Sequence, residues 1–237
     1  MEKILADFTA SLQELFMENL LAVVLYGSAV RGEYRKGVSD INVLILLEKS
    51  SPPVIFEMGR SIKPFLRRHR INPLVMTGEE FRLSADIFPL EYADIRDTHR
   101  VIYGDAKILN IDLHHVYLRY ELEEKLRGAV GDIRHMLLAS GGSENNLAMR
   151  LVSWSGLCGT IFRGLLRLKG ISDIPVEADA LLKRVSDEYS IPLDGFAAFE
   201  RFRGGEKAQA VELAASMLNA LKALASAVSA MPCGEPG

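Results

Sequence analysis

The sequence predicts an α+β chain: a small mixed-sheet domain over residues 1–110, an all-helical bundle over 111–231, and a short disordered tail over 232–237. Three observations carry that prediction. Apolar runs of strand length at 20–26, 41–47 and 71–76 alternate with segments whose apolar residues recur every three or four positions. Beyond Ile111 the strand signal ends and only helical periodicity follows. Glycine-rich turns at Gly141-Gly142, at 170–175 and at Gly204-Gly205 divide that helical remainder.

Taken in order, Ile4, Phe8, Leu12, Leu15 and Phe16 lie at helical spacing with acids between them, so 3–18 is an amphipathic helix that Asn19 ends. The run 20–26, rich in valine and leucine, suits a central strand, and 41–47 is a second. Between them lies a loop containing Gly27, Ser28, Gly32 and Gly37. After a break at 50–53, Ile55, Met58, Ile62, Phe65 and Leu66 predict a helix over 54–70 despite Pro64. Pro73 assigns the strand 71–76 to a sheet edge or a bulge, because proline cannot donate to a ladder. Thr77 followed by Glu80 has the spacing of a capping box, opening a short helix over 78–84. Another helix follows at 89–97, and 101–103 is a last short strand closed by Gly104-Asp105. Helices are then expected at 113–138, 147–168, 176–189, 196–202 and 208–228, with Val211, Ala215, Leu218, Leu221, Ala225 and Val228 down one side of the last.

Composition narrows the function classes. The formal charge of −3 is spread over both signs, so no global field favours nucleic acid. The basic stretch Arg60, Lys63, Arg67, Arg68, His69 and Arg70 lacks interleaved aromatics and reads as cations at a helix C-terminus. Cys158 and Cys233 form neither a disulfide framework nor a metal knuckle, which fits a reducing, cytoplasmic compartment. Asp7, Glu14 and Glu18 interrupt the apolar positions that a signal peptide needs, and no uninterrupted apolar run approaches the roughly 20 residues of a membrane span. No membrane partner is expected.

The chemistry concentrates between residues 25 and 47. A strand ending in Tyr26-Gly27-Ser28 places backbone N–H groups and a hydroxyl in a tight turn where an anion fits. Residues 40 and 42 share one side of the next strand, since side chains alternate with period two. Carboxylates in those places would bridge divalent ions and nucleotide phosphates, and a third acid from a neighbouring strand would complete the set. Arg31, Arg35 and Lys36 lie in the intervening loop, either reaching a triphosphate or remaining solvated.

Gly27-Ser28, the loop, and Ser39-Asp40-Ile41-Asn42-Val43 resemble the signature of the nucleotidyltransferase superfamily, in its minimal and aminoglycoside nucleotidyltransferase branch. In that signature a hydrophobic residue and Gly-Ser precede a strand bearing Asp-hydrophobic-Asp. The resemblance implies that Gly27 and Ser28 hold the terminal phosphates of an NTP, ATP foremost, with Arg31, Arg35 and Lys36 beside them. It implies Asp40 as the first Mg2+ ligand, while Asn42 stands where the second carboxylate belongs. The third is expected on the strand 71–76, which contains no acid. Losing groups that stabilise a transferring phosphoryl typically costs several kcal/mol. Asp86, Glu91 and Asp94 are the acids that would have to replace the third, and their plain reading is surface acids on short helices.

The expectation is therefore a nucleotidyltransferase-like protein with an impaired metal site, retaining weak nucleotide binding or serving a partner-binding or regulatory role. The alternative is an active Mg2+-dependent enzyme moving a nucleoside monophosphate onto a hydroxyl of a small molecule or protein, with the helical remainder forming the acceptor side of the cleft. A third reading is purely structural, a homo-oligomer or hetero-complex joined through the alanine-rich last helix.

Other residues are expected to be structural. His99 and Arg100 precede the last strand, and the adjacent His114 and His115 point apart on a helix. Glu121, Glu123 and Glu124 with Arg119, Lys125 and Arg127 form an ion-laced exposed face, and Asp132 faces solvent. Trp154 anchors helices, and Cys158 is a small buried apolar group.

Overall fold

The computed structural model describes residues 1–32, 34, 40–154 and 158–232. It divides into two compact units, Met1–Leu113 and His114–Gly237.

The first unit opens with α1 (Glu2–Phe16), which buries Leu5, Phe8, Leu12 and Phe16, and a 3-10 turn, Met17–Asn19, leads from it into β1 (Leu20–Tyr26). The amide of Asn19 exchanges two hydrogen bonds with the backbone of Lys49, at 2.9 and 3.0 Å. It thereby ties the start of β1 to the chain leaving β2 (Ile41–Leu47). Between the strands Ser28–Arg31 makes a single helical turn, α2. α3 (Pro52–His69) runs through Pro64, and β3 (Ile71–Thr77) follows. Thr77 caps α4 (Gly78–Leu83) in a complete capping box with Glu80, α5 (Pro89–Asp97) begins on its proline, and β4 (His99–Gly104) closes the sheet.

The four-stranded sheet has the order β3-β2-β1-β4, with β3 parallel to β2 and the other pairs antiparallel. It is the mixed sheet expected, and Pro73 lies on an edge strand. Pleating sends Ile41, Val43, Ile45 and Leu47 into a cluster with Phe8 and Leu12 of α1 and Met58 and Ile62 of α3. Leu44 and Leu46 face the other way, with Ala22, Val24, Tyr26, Phe81, Tyr92 and Ile95. Burial on both faces explains why β2 reads as an unbroken apolar run. Each such side chain stabilises the fold by about 1.5–3 kcal/mol.

The last strand is longer than expected, since His99 and Arg100 pair with Tyr26 and Leu25 inside the ladder. Gly104 (φ 93°) ends it where a Cβ would collide with the Leu21 carbonyl. Arg100 reaches both carboxylate oxygens of Glu2 at 2.9 Å.

The second unit is built from α6 (His115–Ala139), α7 (Glu144–Ser153), α8 (Cys158–Leu168), α9 (Ala178–Tyr189), α10 (Asp194–Arg203) and α11 (Ala210–Ser229). α11 packs along α6 and also against α10 and α7, and α8 joins α6 to α9. Gly195 permits the α10–α11 approach, because a Cβ there would collide with the Ser216 side chain.

Several expectations are corrected here. The helix expected over 147–168 is two helices. Trp154 leaves the helical path at the end of α7, and its indole N–H donates to Asp132 (3.2 Å) while its ring lies against Phe199. Asp132 faces solvent as expected and in addition accepts this indole N–H. The buried side of α11 runs through Ala210, Leu213, Ala214, Met217, Leu221, Leu224 and Val228, whereas Val211 and Ala215 are exposed. In an alanine-rich helix apolarity alone does not choose the face. α11 is long and apolar enough to cross a membrane by length and composition alone, yet its apolar side packs on neighbouring helices. The ion-laced face also has a buried member. Arg119 is 8% exposed and donates to the Met231 and Ser229 carbonyls, pinning the end of α11. Glu123 accepts from Arg127 and Arg119, and that hydrogen bonding holds its carboxyl below the usual carboxylate range. The Cys158 side chain and residues 233–237, including Cys233 and nearly all of the expected tail, lie outside the described residues.

Candidate functional site

The sequence-expected site gathers at one end of the sheet, where β1 finishes and β2 and β3 begin. The ladders place Asn72 beside Asn42, Asn42 beside Tyr26, and Tyr26 beside His99. Paired residues share a face, so these side chains form a row across four strands.

Gly27 makes the turn out of β1 at φ 76° and ψ −148°, a conformation closed to other residues. A Cβ there would stand 3.1 Å from Nδ2 of Asn42, so glycine also lets the turn lie against that amide. The Gly27 carbonyl accepts from the N–H groups of Val30 and Arg31, holding Ser28 at the start of α2, and Gly32 (φ 81°) ends the turn.

The Asn72 amide donates from Nδ2 to Oδ1 of Asn42 at 3.2 Å. Two amides therefore stand side by side on adjacent parallel strands. Asp40, just before β2, pairs with Arg70, just before β3, at 2.8 Å, each side chain being 50% exposed. Arg70 caps α3 in the left-handed region (φ 54°, ψ 38°), and its carbonyl accepts from the Ile41 N–H at 2.9 Å.

On the same face, α5 brings two acids inward. The Tyr26 hydroxyl donates to Glu91 at 2.8 Å, and burial first, then the Glu91 charge, pushes the Tyr26 phenol far above its ordinary range. Arg31 pairs with Asp94 at 3.2 Å, with side-chain exposures of only 9% and 10%. Behind them Tyr92 stacks on Phe81 with ring centroids 4.6 Å apart, and burial pushes its phenol up to about 12. The expectation of surface acids therefore holds for exposed Asp86 alone; Glu91 is half-buried and Asp94 buried. Both turn inward toward partners, Glu91 to the Tyr26 hydroxyl on β1 and Asp94 to the Arg31 guanidinium on α2. Among the described residues no three of His, Cys, Asp and Glu gather as a metal-holding group.

The structure brings together Gly27, Ser28, Arg31, Asp40 and Asn42 at this end of the sheet, while Arg35 and Lys36 lie outside the described residues. Sequence reasoning missed three participants. Arg70 was hidden in a basic run that reads as helix capping, Asn72 in a strand noted only for lacking acids, and the Tyr26–Glu91 contact spans 65 positions. The parallel pairing of β2 with β3 sets 72 opposite 42, and no local sequence signal carries that register. Chemically, the arrangement offers backbone and amide donors, a hydroxyl and an accessible guanidinium, a set suited to an anion.

Comparison with known proteins bears on the fold and the family. Residues 5–127 match the nucleotidyltransferase domain family. Among solved structures, a crystal structure of the spectinomycin adenyltransferase AAD(9) from Enterococcus faecialis with ATP and spectinomycin is similar in fold, with a TM-score of 0.56 at 14% identity over 94% of this chain and 99% of that one. No curated protein matches the chain.

Proposed function

This chain belongs to the nucleotidyltransferase domain family, and on that premise we propose that it binds a nucleoside triphosphate weakly at the strand heads, has too little negative charge there for efficient nucleotidyl transfer, and serves a regulatory or partner-binding role. The observation carrying this reading is the pair of amides, Asn42 and Asn72, side by side on β2 and β3. Two-ion chemistry needs carboxylates that bridge the metals while these stabilise the attacking and leaving oxygens. An amide oxygen offers a lone pair but no charge. Asp40, the carboxylate at the head of β2, is already neutralised by Arg70. Such a donor set does not suit a pair of magnesium ions.

Gly27 and Ser28 supply the anion-facing turn. The similar crystal structure contains ATP and spectinomycin, which supports ATP as the nucleotide and a small molecule as the acceptor in the alternative reading, an active Mg2+-dependent enzyme. Calorimetric titration with ATP, followed by incubation of labelled ATP and Mg2+ with a panel of acceptors, separates the two. The expected result is saturation with Kd on the order of 0.1–1 mM and no labelled acceptor. Failure to saturate at millimolar ATP would remove nucleotide binding and leave the structural reading; a labelled acceptor would establish the enzyme.

A further inference from the structure

We propose that the Arg70 guanidinium takes the place of the metal as the cation of this site, so that a nucleoside polyphosphate binds without a divalent ion. This rests on the nucleotide-binding reading above and specifies what neutralises the phosphate.

The heads of β2 and β3 carry Asp40, Asn42, Arg70 and Asn72, whose formal charges sum to zero. Carboxylates at 42 and 72 would repel a triphosphate unless metal ions stood between them; amides do not, and they add N–H donors of their own. Asn42 is placed to use one, with its Nδ2 against the Gly27 turn. A divalent cation seeking Asp40 meets a guanidinium 2.8 Å from the carboxylate oxygen. Two cations converging on one carboxylate oppose each other, and the guanidinium donors that Asp40 does not take remain for phosphate oxygens.

Arg70 is anchored as a site residue would be. Ile41 and Ile71 are partners in the ladder, so Asp40 and Arg70 each stand one residue before a paired position. The bond from Ile41 N–H to the Arg70 carbonyl fixes the backbone there at 2.9 Å. Half of the side chain is open to solvent, so a ligand reaches it. A guanidinium has five N–H donors in a planar fork, and its Nη2 bond to Asp40 leaves donors for phosphate oxygens. Arg31 is differently committed, buried at 9% exposure against Asp94.

The test is calorimetric titration of ATP into the full chain, once in EDTA and once in excess Mg2+, for the wild type, Arg70→Ala and Arg70→Lys. The wild type is expected to bind equally in both buffers, within about threefold. In EDTA, Arg70→Ala should weaken binding about tenfold or more, and Arg70→Lys, which keeps the charge but not the fork, by less. ATP binding that requires Mg2+ in the wild type overturns the inference while leaving nucleotide binding intact, and it does so even should Arg70→Ala fail to fold. Undiminished affinity of folded Arg70→Ala in EDTA overturns it as well. Saturation in neither buffer removes the nucleotide reading itself and this inference with it.

Discussion

Two arginine–carboxylate pairs flank the strand heads of the first unit, alike in chemistry and opposite in setting. Arg31 and Asp94 meet at 3.2 Å with 9% and 10% of their side chains exposed, under α5. Arg70 and Asp40 meet at 2.8 Å with half of each side chain in water. Distance alone would rank the second pair as the stronger. Burial reverses the ranking for the fold: losing one partner of a buried pair strands a charge in low dielectric, whereas losing one partner of an exposed pair returns the other to solvent. The buried pair therefore acts as structure, clamping α2 to α5, and the exposed pair is left accessible to a ligand.

Asp94→Ala attacks this contrast at its strongest point. It should lower stability by about 3–5 kcal/mol in urea denaturation, because the Arg31 charge stays buried. A loss below ~1 kcal/mol would make the two pairs equivalent.

Asn42→Asp sharpens the contrast from the exposed side, placing a second carboxylate two residues beyond Asp40 on the same strand face. Mg2+-dependent ATP affinity should rise about tenfold, equivalent to ~1.4 kcal/mol, by calorimetry. Unchanged affinity would mean that the missing charge at 42 is not what limits the site.

Arg70→Ala is expected to change stability least, by less than ~1 kcal/mol in the same denaturation experiment, since its partner is well hydrated without it. A loss comparable with that of Asp94→Ala would mark Arg70 as a structural residue and erase the distinction.

Legibility followed locality. The spans of β1, β2 and α5 match their expected bounds, because an apolar run, a proline start and flanking breaks all lie within the segment. Thr77 and Glu80 were readable as a capping box for the same reason. The end of α7 at Trp154 was not, and the partner its indole finds there, Asp132, lies 22 positions earlier. Nor was the burial of Asp94, whose partner Arg31 is 63 positions away. Generic exposure of acids pointed to solvent, and a specific distant cation overrode it.

From its own residues the chain declared an α+β start, a helical remainder, a tight turn at Gly27-Ser28 and an acid and an amide, Asp40 and Asn42, on one side of the second strand, because periodicity, turn chemistry and residue type are properties of neighbours in sequence. Tertiary structure alone decided that Asn72 completes the row as a second amide, that Arg70 rather than a solvent-facing gap stands beside Asp40, and that Glu91 and Asp94 turn inward. Each of those depends on strand register or helix docking, which bring together groups tens of residues apart and settle which charges are buried with a partner and which remain in water.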